Sequence, residues 1–318
     1  MQRSVQYWRL VNVDGTPLSG RFPASRVTRV LREAQEAGLD RHLACRDGMV
    51  LIAHAEERNE RRPMIVLDKV RRENLPSIGD RSGSRKPIGL ASGEGLLEPT
   101  YCMFGENNVV AMLTSGDGPR AKRLRDYLSA KLSIEVGVDP VLTQDLDQVL
   151  DEMRFSSIEV AIPAERIDRD LVGGDWVETL AASRALAQSG GVVHVGMAVG
   201  RRGSRSFKEA IRQRIRELTS QLRGSSGLSE MQSARVTGTI RGQQRTVDLL
   251  ADRFVEKVDV DADRLADPAE SVAYARQVLG KALHDRSDYL SGVVPTVDRT
   301  PSGHRAQFVE NLDDGQPA

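Results

Sequence analysis

The stretch TYCMFGENNVVAML, Thr100 to Leu113, decides the fold. Tyr101 to Phe104 and Val109 to Leu113 are short apolar runs of strand length. Between them Gly105-Glu106-Asn107-Asn108 supplies the residue types that tolerate a tight reversal. Two strands joined by so short a link must run antiparallel, because a parallel pair needs a long crossover.

Upstream, Val5 to Val13 reads as a strand, with a turn at Asp14-Gly15 and a second extended piece near Leu18 to Phe22. Ser25 is placed to cap a helix that runs to Ala37 and stops at Gly38. Met49 to His54 and Met64 to Val70 are further strands, and the Gly-rich stretch 73–98 is expected to be a mobile loop. A helix follows from Pro119 to Lys131, with Pro in its first turn.

The pattern restarts near Ser133. Ile134, Val136 and Val138 alternate as in a strand, and a helix over 141–154 places Leu142, Leu146, Val149 and Met153 on one face. Its other face is acidic, through Asp139, Asp145, Asp147, Asp151 and Glu152. Strands at Ile158–Ile162 and Val192–Val199 flank an Ala-rich helix over 175–188. Ser204 caps a helix to Arg223 whose apolar stripe is Phe207, Ile211, Ile215, Leu218 and Leu222. Ala234–Ile240 and Arg245–Leu250 form a second hairpin around Gly242-Gln243-Gln244, and a last helix runs from Pro268 to Leu290. The fold class is therefore α+β, in two domains of mixed or antiparallel sheet with packed helices. The expected division is a globular domain of residues 1–132 plus 262–290. Residues 133–261 form an inserted, mobile α+β domain, and 291–318 a polar, disordered tail.

The 318 residues carry 45 basic and 45 acidic groups. That neutrality hides a local imbalance. Arg201 to Arg245 holds eleven Lys or Arg against three Glu, a net +8, and Thr246 to Glu270 is net −5. A neutral chain with one basic block binds a polyanion there without adhering to every anionic surface. Lys208, Arg212, Arg216 and Arg223 recur on one side of the helix. Arg201, Arg202 and Arg205 precede or open it, where backbone N–H groups also favour phosphate. Arg235 and Arg241 are an even number of residues apart, which places both on one strand face, and Arg245 begins the return strand. Phe207 is the sole aromatic nearby and belongs to the core stripe, which favours contacts to a duplex backbone over base stacking.

Catalytic signals are sparse. The five histidines lack a second His or Cys at ligand spacing, so no metal or other cofactor is expected. His54 and His194 read as packing residues. Ser115-Gly116-Asp117-Gly118-Pro119 lacks the Lys and Ser/Thr of a phosphate-binding loop. Asp68-Lys69 lacks the spacing of a metal-dependent nuclease, which is the rival reading. Cys45 and Cys102 are expected to be reduced, the longest apolar runs are too short to span a bilayer, and the N-terminus has no apolar signal core. A cytoplasmic protein is the expectation.

Three strings resemble the Rex-like family of phage-exclusion proteins typified by RexA. They are TYCMFGENNVVAML, the following RAKRLRDYLSAKL, and VGVDPVLTQDLDQVL; Thr246 to Asp285 is similar in layout. The resemblance implies a homodimer that binds double-stranded DNA with little sequence preference, senses phage DNA or protein–DNA complexes, and signals to a RexB-like membrane protein. It places the DNA-contacting basic residues near Arg241 and Arg245. A more distant resemblance is to KwaB-like defence DNA binders. With the charge pattern, the candidate DNA contacts are Arg201, Arg202, Arg205, Lys208, Arg212, Arg235, Arg241 and Arg245.

Overall fold

The computed structural model describes the chain except residues 46–47, 56–61, 74, 76, 80, 82, 92–93, 143–148, 165–166, 168–182, 184–190, 201–203, 225–230, 251–254 and 311–318. The fold is α+β and its sheets are antiparallel.

The first sheet is built on β1 (Gln2–Val11). Beside it stand β8 (Val109–Thr114), β7 (Leu96–Phe104), β4 (Met64–Arg71), β3 (Val50–Ala55) and β2 (His42–Ala44), in that order. The other edge of β1 carries two partners end to end. β14 (Val255–Asp259) pairs with Gln2–Gln6, and β9 (Gly137–Pro140) with Trp8–Val11. The strands are apolar on both faces because helices cover both. On one face α1 (Ala24–Glu36) and α2 (Ala121–Leu132) pack through Val27, Leu31, Leu124, Tyr127 and Leu128. On the other face α5 (Ser271–Asp285) packs Ala275, Leu279 and Leu283 against Tyr7, Tyr101, Met103 and Ala111; α4 (Ala262–Ala266) precedes it and α6 (Ser287–Val293) follows.

The link between β7 and β8 is the expected reversal, closed by one 3-10 turn. Asn107 and Asn108 take left-handed φ angles of 51° and 59°, a conformation Asn adopts at low cost. The Asn108 amide then ties the turn to the chain near α1. Its oxygen accepts from the Phe22 N–H at 2.7 Å, and its nitrogen donates to the Gly20 carbonyl at 3.0 Å.

The second sheet has the order β11–β10–β12–β13. Its strands are β10 (Arg154–Pro163), β11 (Val192–Ala198), β12 (Ser233–Ile240) and β13 (Gln243–Asp248). α3 (Arg205–Gly224) lies on it, and Ile215 and Leu218 meet Ile158, Ile162, Val236 and Val247. In sequence this sheet falls between β9 and β14, both of which sit on β1.

Several expectations need correction. Pro23, not Ser25, occupies the cap position of α1, and no side chain caps it; Gly38, at φ 69°, ends the turn as expected. The stretch 73–98 contains the short hairpin of β5 (Ser77–Gly79) and β6 (Arg85–Pro87) and the start of β7. Arg154 opens β10 and does not end a helix; residues 143–148 of that expected helix and most of 175–188 lie outside the described residues. The tail is not free over 294–310. Ala306 is 2% exposed, and the N–H groups of Gln307 and Val309 donate to the Leu132 and Lys131 carbonyls at 3.1 and 2.9 Å. Polar composition suggested disorder there, but backbone hydrogen bonding to the end of α2 holds the segment. Cys45 and Cys102 form no disulfide, and no helix among the described residues is long and apolar enough to cross a membrane.

Candidate nucleic-acid interface

The turn between β12 and β13 consists of Arg241 and Gly242, at φ 49° and 84°. Two left-handed residues in a two-residue loop make the tight turn that matches strand twist. This corrects the alternation expected for the arginines. Arg241 is not a strand residue, so the even spacing from Arg235 does not put the two on one face.

The register settles the rest. Val236 opposes Val247, and both are buried in the second core. Gly238 opposes Arg245 on that same face, whereas Arg235 opposes Asp248 on the other. Gly238 leaves room for Met153; a β-carbon there would lie 2.3 Å from Met153 Cγ. Beyond Met153 the face opens into a cleft of about 520 Å³ lined by Arg241, Arg245, Gln243, Gln244, Val149 and Glu152. The hairpin tip therefore joins Arg241 to Arg245 and separates both from Arg235.

The partners of these cations differ in strength. Arg241 Nη2 lies 3.4 Å from Glu152 Oε2 with its side chain 82% exposed, and Arg235 Nε lies 3.4 Å from Asp248 Oδ2. Exposed pairs of this length are worth about 0–1 kcal/mol, so a phosphate can displace them. Arg245 makes no ion pair among the described residues. Arg212 is held more firmly: its Nη1 is 2.7 Å from Glu209 Oε1, which also accepts from Arg154 at 3.0 Å. Those contacts, Arg154's first, keep the Glu209 carboxyl below its ordinary range.

On α3, Ser204 Oγ accepts the Phe207 N–H at 3.3 Å, as expected of a cap. Arg205 is exposed and Lys208 half-buried in the first turn; Arg201 and Arg202 lie outside the described residues. Phe207 is 60% exposed, so the buried stripe begins one turn later, at Ile211. An exposed aromatic beside Arg205 removes the argument against stacking on bases. Arg216 turns back over the Phe155 ring, 5.7 Å from its centroid.

The sequence missed two things. Glu152, read as a solvent face, is the carboxylate of the arginine cleft. Arg21, Arg26 and Arg299 line a separate cleft of about 410 Å³ at the start of α1, and none of the three makes an ion pair among the described residues. Residues 21 and 299 are joined only by the returning tail, so no local signal could have grouped them.

No family model matches this chain, and no curated protein or solved structure was found to resemble it.

Proposed function

We propose that this chain binds the sugar–phosphate backbone of double-stranded DNA, with little sequence preference, at the tip of the β12–β13 hairpin. The observation that carries the reading is the convergence of Arg241 and Arg245 on one open cleft, neither bound by more than a weak surface contact. Phosphate contacts of this kind position a duplex and read no bases.

The test is a gel-shift titration of a mixed-sequence duplex against the parent and the Arg241→Asn/Arg245→Gln double variant. Asn keeps the left-handed turn, so the change removes charge and not the hairpin. The variant should bind more weakly at low salt, and its salt dependence should be shallower by about two units of slope for two lost phosphate contacts. Unchanged affinity would withdraw the hairpin. Loss confined to an Arg21→Gln/Arg26→Gln/Arg299→Gln variant would move the interface to the α1 cleft.

A role in phage exclusion, a homodimer and a RexB-like membrane partner come to this chain only from the family resemblance, and are proposed on that footing. Sedimentation of the purified chain tests the dimer. The rival reading is a metal-dependent nuclease. Incubating plasmid with the protein and Mg²⁺ separates the two readings: retention without nicking supports the binder.

A further inference from the structure

The α5-facing side of the first sheet is not fully covered. One row of residues crosses five strands: Val5 opposes Leu113, Leu113 opposes Tyr101, Tyr101 opposes Val66 and Val66 opposes His54. Two residues further out, beyond the N-terminus of α5, the floor becomes polar on β1, β8 and β4, while β7 contributes Pro99. Arg3 stands on β1, Ser115 at the end of β8, and Asp68 on β4. These residues line a cleft of about 570 Å³ roofed by Leu265, Val272 and their neighbours from α4 and α5. Its volume lies in the range of small-molecule sites, and its lining is largely apolar with a few polar groups, the usual character of such sites.

Two of those polar groups lack partners. Arg3 is half-buried, its side chain makes no hydrogen bond or ion pair among the described residues, and its Nε is shut off from solvent. Ser115 Oγ is also buried without a hydrogen-bond partner among the described residues. A guanidinium left in this state loses hydration without recovering a hydrogen bond, which a ligand acceptor would restore. At the other end Asp68 is 4% exposed and in contact with His54, whose Nε2 lies 3.4 Å from Asp68 Oδ2. Arg41 donates to His54 Nδ1 at 3.1 Å, which leaves the proton on Nε2 and aims it at Asp68. Three strand spacings separate Arg3 from Asp68, about 14 Å along the floor.

We infer that this cleft binds a small organic acid, with its anionic head on Arg3, its apolar body over Leu113 and Tyr101, and a hydrogen-bond donor at its far end meeting Asp68. The site is independent of the hairpin arginines and uses none of the residues proposed to hold DNA.

The experiment is an NMR titration of the full chain with three matched probes: hexanoate, hexanamide and 6-aminohexanoate. Hexanoate should bind about tenfold more tightly than the neutral amide, because only the carboxylate brings a negative charge to the ion pair and can accept two guanidinium N–H groups at once. Arg3→Gln should erase that preference, and Ser115→Ala, a change too small to unfold the sheet, should reduce it. 6-Aminohexanoate should gain over hexanoate in the parent, and Asp68→Asn should cancel the gain while leaving hexanoate unaffected. Equal binding of hexanoate and hexanamide, no shift at the resonances of Arg3, Ser115 and His54, or shifts confined to Arg241 and Arg245 would each overturn the proposal.

Discussion

Arg235 and Arg245 stand on opposite faces of one hairpin, the first across from Asp248 and the second across from Gly238. Strand alternation fixes this, and no rotamer of either side chain undoes it. A rod-shaped polyanion lying on the Arg245 side therefore cannot also engage Arg235. Arg245→Gln should weaken duplex binding severalfold at low salt, and Arg235→Gln should leave it within error. Fluorescence anisotropy with a labelled duplex checks both. Equal loss from the two variants would mean that the hairpin is wrapped by its ligand or that contact is diffuse.

Gly238 is the position on which the cleft depends. A β-carbon there would meet Met153 Cγ at 2.3 Å, Met153 Sδ at 2.7 Å and the Arg154 carbonyl at 2.8 Å. The methionine can turn aside, but the carbonyl belongs to a paired strand and cannot. Gly238→Ala should destabilise the protein by about 1–3 kcal/mol through overpacking, and it should disturb Glu152 and Arg241 as Met153 moves. Urea denaturation measures the first effect. A midpoint equal to the parent's would show that the strand relaxes freely.

The part of this architecture legible in sequence is the part set by local chemistry. Gly105 to Asn108 announced a reversal because Gly and Asn accept the required backbone. Gly242 did the same for the second hairpin. Register was not legible. Nothing local states that Arg245 opposes Gly238, or that residues 137–140 and 255–259 share one edge of β1. Within the +8 block, composition did not show that Arg235 and Arg245 face opposite ways and that Arg241 sits in the turn between their strands. Arg3, Asp68 and Ser115 were invisible as a group, since only the pairing order of the sheet brings them to one face. Phe207 fitted a helical stripe, yet it stands 60% exposed in the first turn of α3, and the buried part of the stripe starts at Ile211.

The segment after α6 should be structural. Ala306 is 2% exposed, and Phe308 covers Lys131, whose Nζ lies 5.7 Å from the ring centroid and donates to the Asp40 carbonyl at 3.0 Å. Ending the chain after Val294 exposes the end of α2 and uncovers this lysine. The truncation should cost on the order of 1–3 kcal/mol and lower the melting temperature by several degrees. Ala306→Asp, which places a charge at the same contact, should have a loss of similar size. If neither change moves the melting curve, the tail is an ornament on an already complete domain.

The Asp68–His54 pair makes opposite contributions to stability as pH changes. Burial raises the Asp68 carboxyl from 3.8 to about 6. Its native state holds a proton that the unfolded chain has lost, so this group favours folding least once pH passes 6. Burial, then the positive charge of Arg41 and of His42, lowers His54 from 6.5 to about 4. That imidazole stays neutral where the unfolded chain is protonated, so its contribution is lost as pH falls from 6.5 toward 4. Between pH 4 and 6 the two trends oppose each other and the parent should be nearly flat from this source. Asp68→Asn removes one arm. Relative to the parent, it should gain stability as pH rises from 4 to 6, by on the order of 2–3 kcal/mol in all. His54→Gln should show the reverse slope, losing ground to the parent as pH rises from 4 to 6.5. Urea midpoints collected across this range decide the matter, because curves that stay parallel to the parent's would mean that neither group is perturbed by the cleft.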